Sequence, residues 1–231
     1  MGQQLLFFDL DDTLLDHRGA EEAAQRVLFA RESALFAGLS FDDWYPKYKL
    51  ANHAGWTAYG RGELDAPTVS VKRFAEPLAE LGLDVSLAHA LSVAYLEEYP
   101  HHWKLLPGAE EILDAASRNG VVGIISNGFS AAQKAKVKRF RLDRWVRHLI
   151  LSEDVGVLKP GRAIFEAARI AGEAGGPPAT RKLHVGDSFE HDVLGAKAAG
   201  WLPVFFNPRK EKPPAPVLWV SCLRDLRPLL E

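Results

Sequence analysis

Four carboxylates, Asp9, Asp11, Asp12 and Asp16, crowd into FFDLDDTLLD (residues 7–16), where the remaining residues are apolar but for Thr13. Like charges at this density raise one another's pKa unless a cation, a cationic side chain or bound protons relieve them. The stretch therefore needs a partner. Asp9 and Asp11, two apart in extended chain, point to the same side about 7 Å apart by Cα. Further along, GDSFEHD adds Asp187 and Asp192. An all-oxygen set of this kind suits a hard ion, and Mg²⁺ takes one or two carboxylates together with a carbonyl and waters. No Cys/His set of the sort zinc prefers is present, and His184 and His191 read as structural or surface residues. A calcium loop is excluded: Leu14 stands where the glycine is required, and no glutamate follows at the twelfth position.

A phosphoryl group carried on such a metal needs a nucleophile, a proton donor for the leaving oxygen and positive charge on its equatorial oxygens. Asp9 can attack to form an aspartyl-phosphate, and Asp11 can protonate the leaving group and later activate water. Lys159 can neutralise the cluster. Ser126, with the amides that follow it, can bind phosphate beside a helix start.

These residues are joined by the elements that must position them. LLFF (5–8), VVGII (121–125), HLIL (148–151), KLHV (182–185), LPVFF (202–206) and VLWV (217–220) are continuous apolar runs, the pattern of buried strands. From residue 108 onward they alternate with helices. Pro107-Gly108 opens one that ends at Asn119-Gly120, Ser130 begins another, Pro160 starts a third, and Phe189–Ala199 is a fourth, stopped by Gly200. The pattern is α/β, a Rossmann-like doubly wound parallel sheet. Ligands bind such sheets beyond the carboxyl ends of the strands. Asp9, Ser126 with Asn127, Ser152 with Glu153, Asp187 with Ser188, and Asn207 occupy those ends.

Residues 17–100 break the rhythm with helices expected at Ala20–Ala37, Phe41–Tyr59, Pro67–Leu81 and Ser86–Tyr99. Ser40 with Asp43 forms a capping-box pattern, Asp65 a cap, and Gly82 and Pro100 stops. Tyr45, Tyr48, Asn52, Trp56 and Tyr59 follow a helix-core stripe. An inserted all-helical domain (17–100) thus interrupts a core domain of 1–16 and 101–231, with His101–Trp103 at the junction.

The chain's 231 residues carry 28 basic and 30 acidic side chains, a formal charge of −2 that gives no field for nucleic acid or an anionic membrane. No apolar run approaches the ~18 residues of a membrane span. One cysteine, Cys222, fits a reducing compartment. A cytoplasmic protein with a small-molecule phosphorylated partner is expected; neither a monomer nor a homodimer is specified.

FFDLDDTLLD, the SNG of IISNG, the Lys-Pro of LKPGRAIF and GDSFEHD leading into VLGAKAAGW resemble, in order and interval, the four motifs of the haloacid dehalogenase superfamily, across essentially the whole chain. That resemblance implies a core of strand order 5-4-1-2-3, an aspartyl intermediate, Mg²⁺ and a helical-bundle cap at the insert. By position it makes Asp9 the nucleophile and Asp11 the acid/base whose backbone carbonyl also binds metal. Thr13 supports the loop, Ser126 and Asn127 hold phosphate, Lys159 balances charge, Asp187 is a direct metal ligand and Asp192 an outer partner of the metal site. The sequence departs from the family pattern at Gly161-Arg162, where an acidic residue and a second proline often follow Lys-Pro.

The expected enzyme is a Mg²⁺-dependent phosphatase acting on a nucleotide monophosphate or a sugar or organic-acid phosphate, with the cap closing over the reaction. A dehalogenase has no need of an acid two residues after its nucleophile, so Asp11 argues against one. A phosphomutase shares the same core residues, and phosphonate cleavage would need a cap lysine such as Lys47, Lys49 or Lys72. An inactive binding module would be expected to lose Asp9, Lys159 or Asp187, and all three are present.

Overall fold

A computed structural model describes residues 2–230. Among them are six parallel strands: β1 (Gln4–Phe8), β2 (Val121–Ser126), β3 (Val146–Leu151), β4 (Arg181–Gly186), β5 (Leu202–Phe206) and β6 (Trp219–Val220). Their order is β3-β2-β1-β4-β5-β6, the expected arrangement with one short strand added at the edge. VLWV contributes only its last two residues to that strand. Central β1 is covered on both sides by neighbours and every residue from Leu5 to Phe8 is fully buried, which is why the run is apolar without alternation.

The chain divides into two compact units, one made of the segment ending at Asp16 together with the segment from Lys104, the other of His17–Trp103. In the second, helices α1 (His17–Arg31), α2 (Phe41–Gly60), α3 (Ala66–Glu80) and α4 (Ala88–Glu98) correspond to the four expected, although α1 ends at Arg31 in a turn and does not continue to Ala37, and no strand lies among the described residues. The Ser40/Asp43 box closes reciprocally: the Asp43 N–H donates to Ser40 Oγ at 3.2 Å and the Ser40 N–H to Asp43 Oδ2 at 2.8 Å. Asp65 caps α3 by accepting from the Thr68 N–H. The buried stripe of α2 is Trp44, Tyr48, Ala51, Asn52 and Gly55, so the expected stripe is corrected: Tyr45, Trp56 and Tyr59 flank it half-buried. The apolar seam follows the period of 3.6 and takes in Trp44, which packs on Phe36 and Phe74. Fully buried Tyr48 adds contacts with Phe74 and Tyr95, each aromatic contributing on the order of 2 kcal/mol.

In the first unit the helices are α5 (Ala109–Asn119), α6 (Ser130–Arg139), α7 (Ser152–Val155), α8 (Arg162–Glu173), α9 (Gly195–Ala198) and α10 (Arg227–Leu230). Two starts differ from expectation. Pro160 lies in a turn, joined to Lys159 by a cis peptide, and α8 begins at Arg162. Phe189–Leu194 is a π-helical turn leading into α9 rather than a regular helix. Leu5, Phe7, Ile125, Ile164, Phe165, Ala168, Ala196 and Trp201 form one buried cluster that ties the sheet to α8 and α9.

Candidate active site

The ladder between β1 and β4 runs one residue past the strand, with the Asp9 N–H donating to the Val185 carbonyl at 2.8 Å. This fixes Asp9 at the carboxyl edge of the sheet, beside Ser126 at the end of β2 and Asp187 just after β4. Beyond it the chain reverses: the N–H groups of Leu14 and Leu15 both donate to the Leu10 carbonyl, and Asp12 adopts a left-handed φ of 60°. Aspartate tolerates that region better than most residues, which accounts for Asp12 without any role in chemistry. Asp16 pairs with Lys104 at 3.0 Å.

Lys159 is the hub. Its Nζ lies 2.6 Å from Asp9 Oδ1, 2.6 Å from Asp192 Oδ1 and 3.0 Å from the Ile125 carbonyl, with 3% of the side chain exposed. Burial works against its charge, but Asp192 and Asp9 outweigh it and hold the ammonium well above its ordinary pKa. The Asn127 side chain is engaged with the lysine's own backbone, its Nδ2 donating to the Lys159 carbonyl at 3.0 Å and its Oδ1 accepting from the Lys159 N–H at 2.7 Å. Through its side chain Asn127 therefore locks Lys159 in place, and its backbone amide is the group it can offer to phosphate.

Thr13 Oγ1 donates to Asp9 Oδ2 at 3.3 Å, so both oxygens of the carboxylate are held. Burial pushes Asp9 well above the usual carboxylate range; Lys159 opposes this, while Asp192 and Asp187 add to it. Asp192 goes the other way. Its burial is outweighed by Lys159 and by His184, whose Nε2 is 2.9 Å from Asp192 Oδ1, and it stays below the ordinary range. Asp192 Oδ2 accepts from the Ser188 N–H at 3.0 Å, a contact that the π-helical turn makes by bending the chain back. Gly186 is required for the approach, because a Cβ there would lie 2.1 Å from Asp192 Cγ. Burial also holds the His184 ring below its ordinary pKa, against the pull of Asp192. The neutral ring donates from Nε2 and leaves Nδ1, buried without a partner, as the unprotonated nitrogen.

Asp9, Asp187 and Asp192 can place one oxygen each within 4.8 Å of one another. The site gathers four carboxyl groups, those three and Asp11, around the two ammonium groups of Lys159 and Lys136. An all-oxygen set of this kind fits a hard divalent cation.

Two residues of the site were not anticipated. Gln133 and Lys136, on α6, reach the Asp11 carboxylate: Gln133 Nε2 donates to Asp11 Oδ2 at 2.7 Å and Lys136 Nζ to Oδ1 at 2.7 Å. Gln133 Nε2 also donates to Ser126 Oγ at 2.8 Å. The signal available was the buried face of α6, which consists of Ser130, Gln133 and Lys136 at helical spacing and contains nothing apolar. Other strand-end candidates are engaged elsewhere: Glu153 Oε2 accepts from the Ser130 N–H at the start of α6, and the Asn207 side chain closes a loop with Glu211.

The profile of the haloacid dehalogenase-like hydrolases matches residues 3–200. The chain belongs to this family of hydrolases. It is 33% identical over 228 residues to the pyrimidine 5'-nucleotidase YjjG of Escherichia coli (strain K12), covering 97% of this chain and 96% of that one. It is 31% identical over 250 residues to the phosphoserine phosphatase of Thermus thermophilus, covering 96% and 97%. Among solved structures, the putative HAD-hydrolase YfnB from Bacillus subtilis, bound to magnesium, superposes with a TM-score of 0.81 at 27% identity, covering 100% and 99% of the two chains.

Proposed function

We propose that the chain is a Mg²⁺-dependent phosphatase that hydrolyses a small phosphorylated metabolite through an aspartyl-phosphate on Asp9. One observation carries this reading: Lys159 braces the Asp9 carboxylate at 2.6 Å, while a second carboxylate, Asp11, stands two residues on at the same strand end. A nucleophile held in place with an acid beside it is what cleavage of a phosphate ester needs, whereas a departing halide needs no proton.

In the first step an Asp9 oxygen attacks phosphorus as the bond to the leaving oxygen breaks, and the carboxyl proton of Asp11 passes to that oxygen. In the second, Asp11, now a carboxylate, takes a proton from water as the water oxygen attacks phosphorus. The phosphorus–Asp9 bond breaks, releasing inorganic phosphate and the free carboxylate. Lys159 supplies positive charge beside Asp9 throughout, and Ser126 with the Asn127 amide would hold the phosphoryl oxygens. A Mg²⁺ ion held by Asp9, Asp187 and the Asp11 carbonyl, with Asp192 bracing the group, would supply further positive charge to the transferring phosphoryl group.

The names of the relatives favour small phosphate monoesters. A nucleoside monophosphate is the first substrate to try, because the relative that is 33% identical across nearly both full lengths is a pyrimidine 5'-nucleotidase. Phosphoserine comes next, and then sugar phosphates, since a relative 28% identical is a glyceraldehyde 3-phosphate phosphatase. The division of the chain supports a helical cap at His17–Trp103 and a catalytic core in the remainder. No helix among the described residues is long and apolar enough to cross a membrane. A cytoplasmic location, suggested by the single cysteine, remains part of the proposal.

Hydrolysis of an aryl phosphate is the first assay, run with Mg²⁺, with EDTA, and in Asp9→Asn. Turnover should require the metal and vanish in the variant. Full activity in EDTA or in Asp9→Asn would overturn the mechanism.

A further inference from the structure

Gln133 and Lys136 have a geometry that the four motifs leave unexplained. Both are buried, Gln133 completely and Lys136 to 2% exposure, on a helix face with no apolar residue. Burying a lysine and an amide is costly unless each finds a partner. Their partners are two groups of the proposed chemistry, the Asp11 carboxylate and the Ser126 hydroxyl.

The two contacts restrict different things. Lys136 Nζ and Gln133 Nε2 each take one oxygen of Asp11, at 2.7 Å, so the carboxylate is fixed in plane and direction by two donors on one rigid helix. Ser126 Oγ accepts from Gln133 Nε2 at 2.8 Å and from the Gly128 N–H at 3.2 Å. With both lone pairs engaged, the serine's own hydrogen is directed away from both donors. Gln133 thus joins the proposed acid/base to the proposed phosphate ligand through a single nitrogen. Gly128 preserves the link, since a Cβ there would lie 1.9 Å from Gln133 Nε2.

We propose that Gln133 and Lys136 are positioning residues, which hold the Asp11 carboxyl group at the leaving-group side of the site and orient the Ser126 hydroxyl for phosphate. This rests on the phosphatase reading and on Asp11 acting as the acid. It adds that the acid's placement depends on α6, outside the four motifs.

The test uses leaving groups. An aryl phosphate with a good leaving group needs little protonation, whereas an alkyl phosphate needs it fully, so a misplaced acid penalises the alkyl ester selectively. In Lys136→Met, kcat/KM, which reports transfer to Asp9 and not the shared hydrolysis of the aspartyl-phosphate, should fall roughly 10- to 100-fold more for an alkyl phosphate than for p-nitrophenyl phosphate, a part of the roughly 10²- to 10⁴-fold ascribed to general acid–base catalysis. Inhibition by inorganic phosphate should stay within twofold of wild type. Gln133→Leu should show the same selective loss and also weaken phosphate inhibition, because Ser126 loses its orienting donor. Gly128→Ala, which displaces Gln133 without removing any polar group, should reproduce Gln133→Leu and covers the case of a Lys136→Met protein that does not fold. Lys136→Arg should restore part of the alkyl rate.

Equal losses on both esters would overturn the proposal. So would a rise in KM and in the phosphate inhibition constant with kcat unchanged in Lys136→Met, which would make Lys136 a substrate ligand. Asp11→Asn separates the levels of failure. If it loses the alkyl and aryl rates equally, Asp11 is not the leaving-group acid and the positioning role falls with it. If it is selective and the α6 variants are not, only the positioning role fails.

Discussion

Replacing Lys159 with methionine keeps the side-chain volume and removes one buried charge, leaving Asp9 and Asp192 facing each other without the ammonium that lies 2.6 Å from each. Removing one partner of a buried ion pair costs about 3–5 kcal/mol, because the remaining charge is left desolvated. Two carboxylates are exposed to that penalty here, although they can reduce it by taking up protons. For a chain of this length such a loss corresponds to a fall in Tm of roughly 6–20 °C. The sign of its pH dependence follows from the carboxylates. In the wild type Asp192 is held below its ordinary pKa, so its contribution to stability is present above the unfolded carboxylate value and is lost on acidification. In the variant only His184 and the Ser188 N–H still oppose the burial of Asp192, which rises from its wild-type value, and Asp9 rises further, so the folded state gains protons and stability relative to the wild type as pH falls. The gap between the two proteins should therefore be widest at neutral pH and narrow below about pH 5. Thermal unfolding in EDTA from pH 8 to 4 measures it. Lys104→Met, which breaks the exposed pair with Asp16, is the control and should leave the midpoint nearly unchanged. A Lys159→Met midpoint within 2 °C of wild type at pH 7.5, or a gap that widens on acidification, would refute the reasoning.

Gly186→Ala would place a methyl group 2.1 Å from Asp192 Cγ and drive that carboxylate off Ser188 and Lys159; unfolding titrations should show a loss of about 1–3 kcal/mol, and turnover should fall with it. Retained activity and stability would mean that the close approach of Asp192 is dispensable. Because burial raises Asp9, protons compete with a cation for its carboxylate, and apparent Mg²⁺ affinity should weaken on acidification, with proton release on binding. Calorimetry in buffers of different ionisation heat reads both the affinity and the proton, and an affinity that strengthens on acidification would contradict it.

Much of this was legible in the sequence because strand ends in a parallel sheet are marked where apolar runs stop. LLFF, VVGII and KLHV delivered Asp9, Ser126 and Asp187 to one edge with no knowledge of register. What escaped depended on side-chain direction. Asn127 has a turn residue's composition whether it faces a ligand or the Lys159 backbone, and only coordinates distinguish the two. The Phe189–Ala199 pattern reads as an ordinary helix, because the bend that brings Asp192 to Ser188 changes the hydrogen-bond period and leaves the residue types unaltered. On α2 a single residue separated the expected stripe from the observed one, since aromatic side chains at 44 and 45 satisfy neighbouring phases equally well. The polar face of α6 was readable in principle, but a lysine-rich helix is usually a solvated one.

The stereochemical course at phosphorus tests the covalent role of Asp9 most directly. With an aryl phosphate made chiral by oxygen isotopes, transfer to Asp9 and then to an acceptor alcohol passes through two in-line displacements. Net retention of configuration in the transferred phosphoryl group is the predicted result. Inversion would mean a single direct attack, and Asp9 would not be the nucleophile.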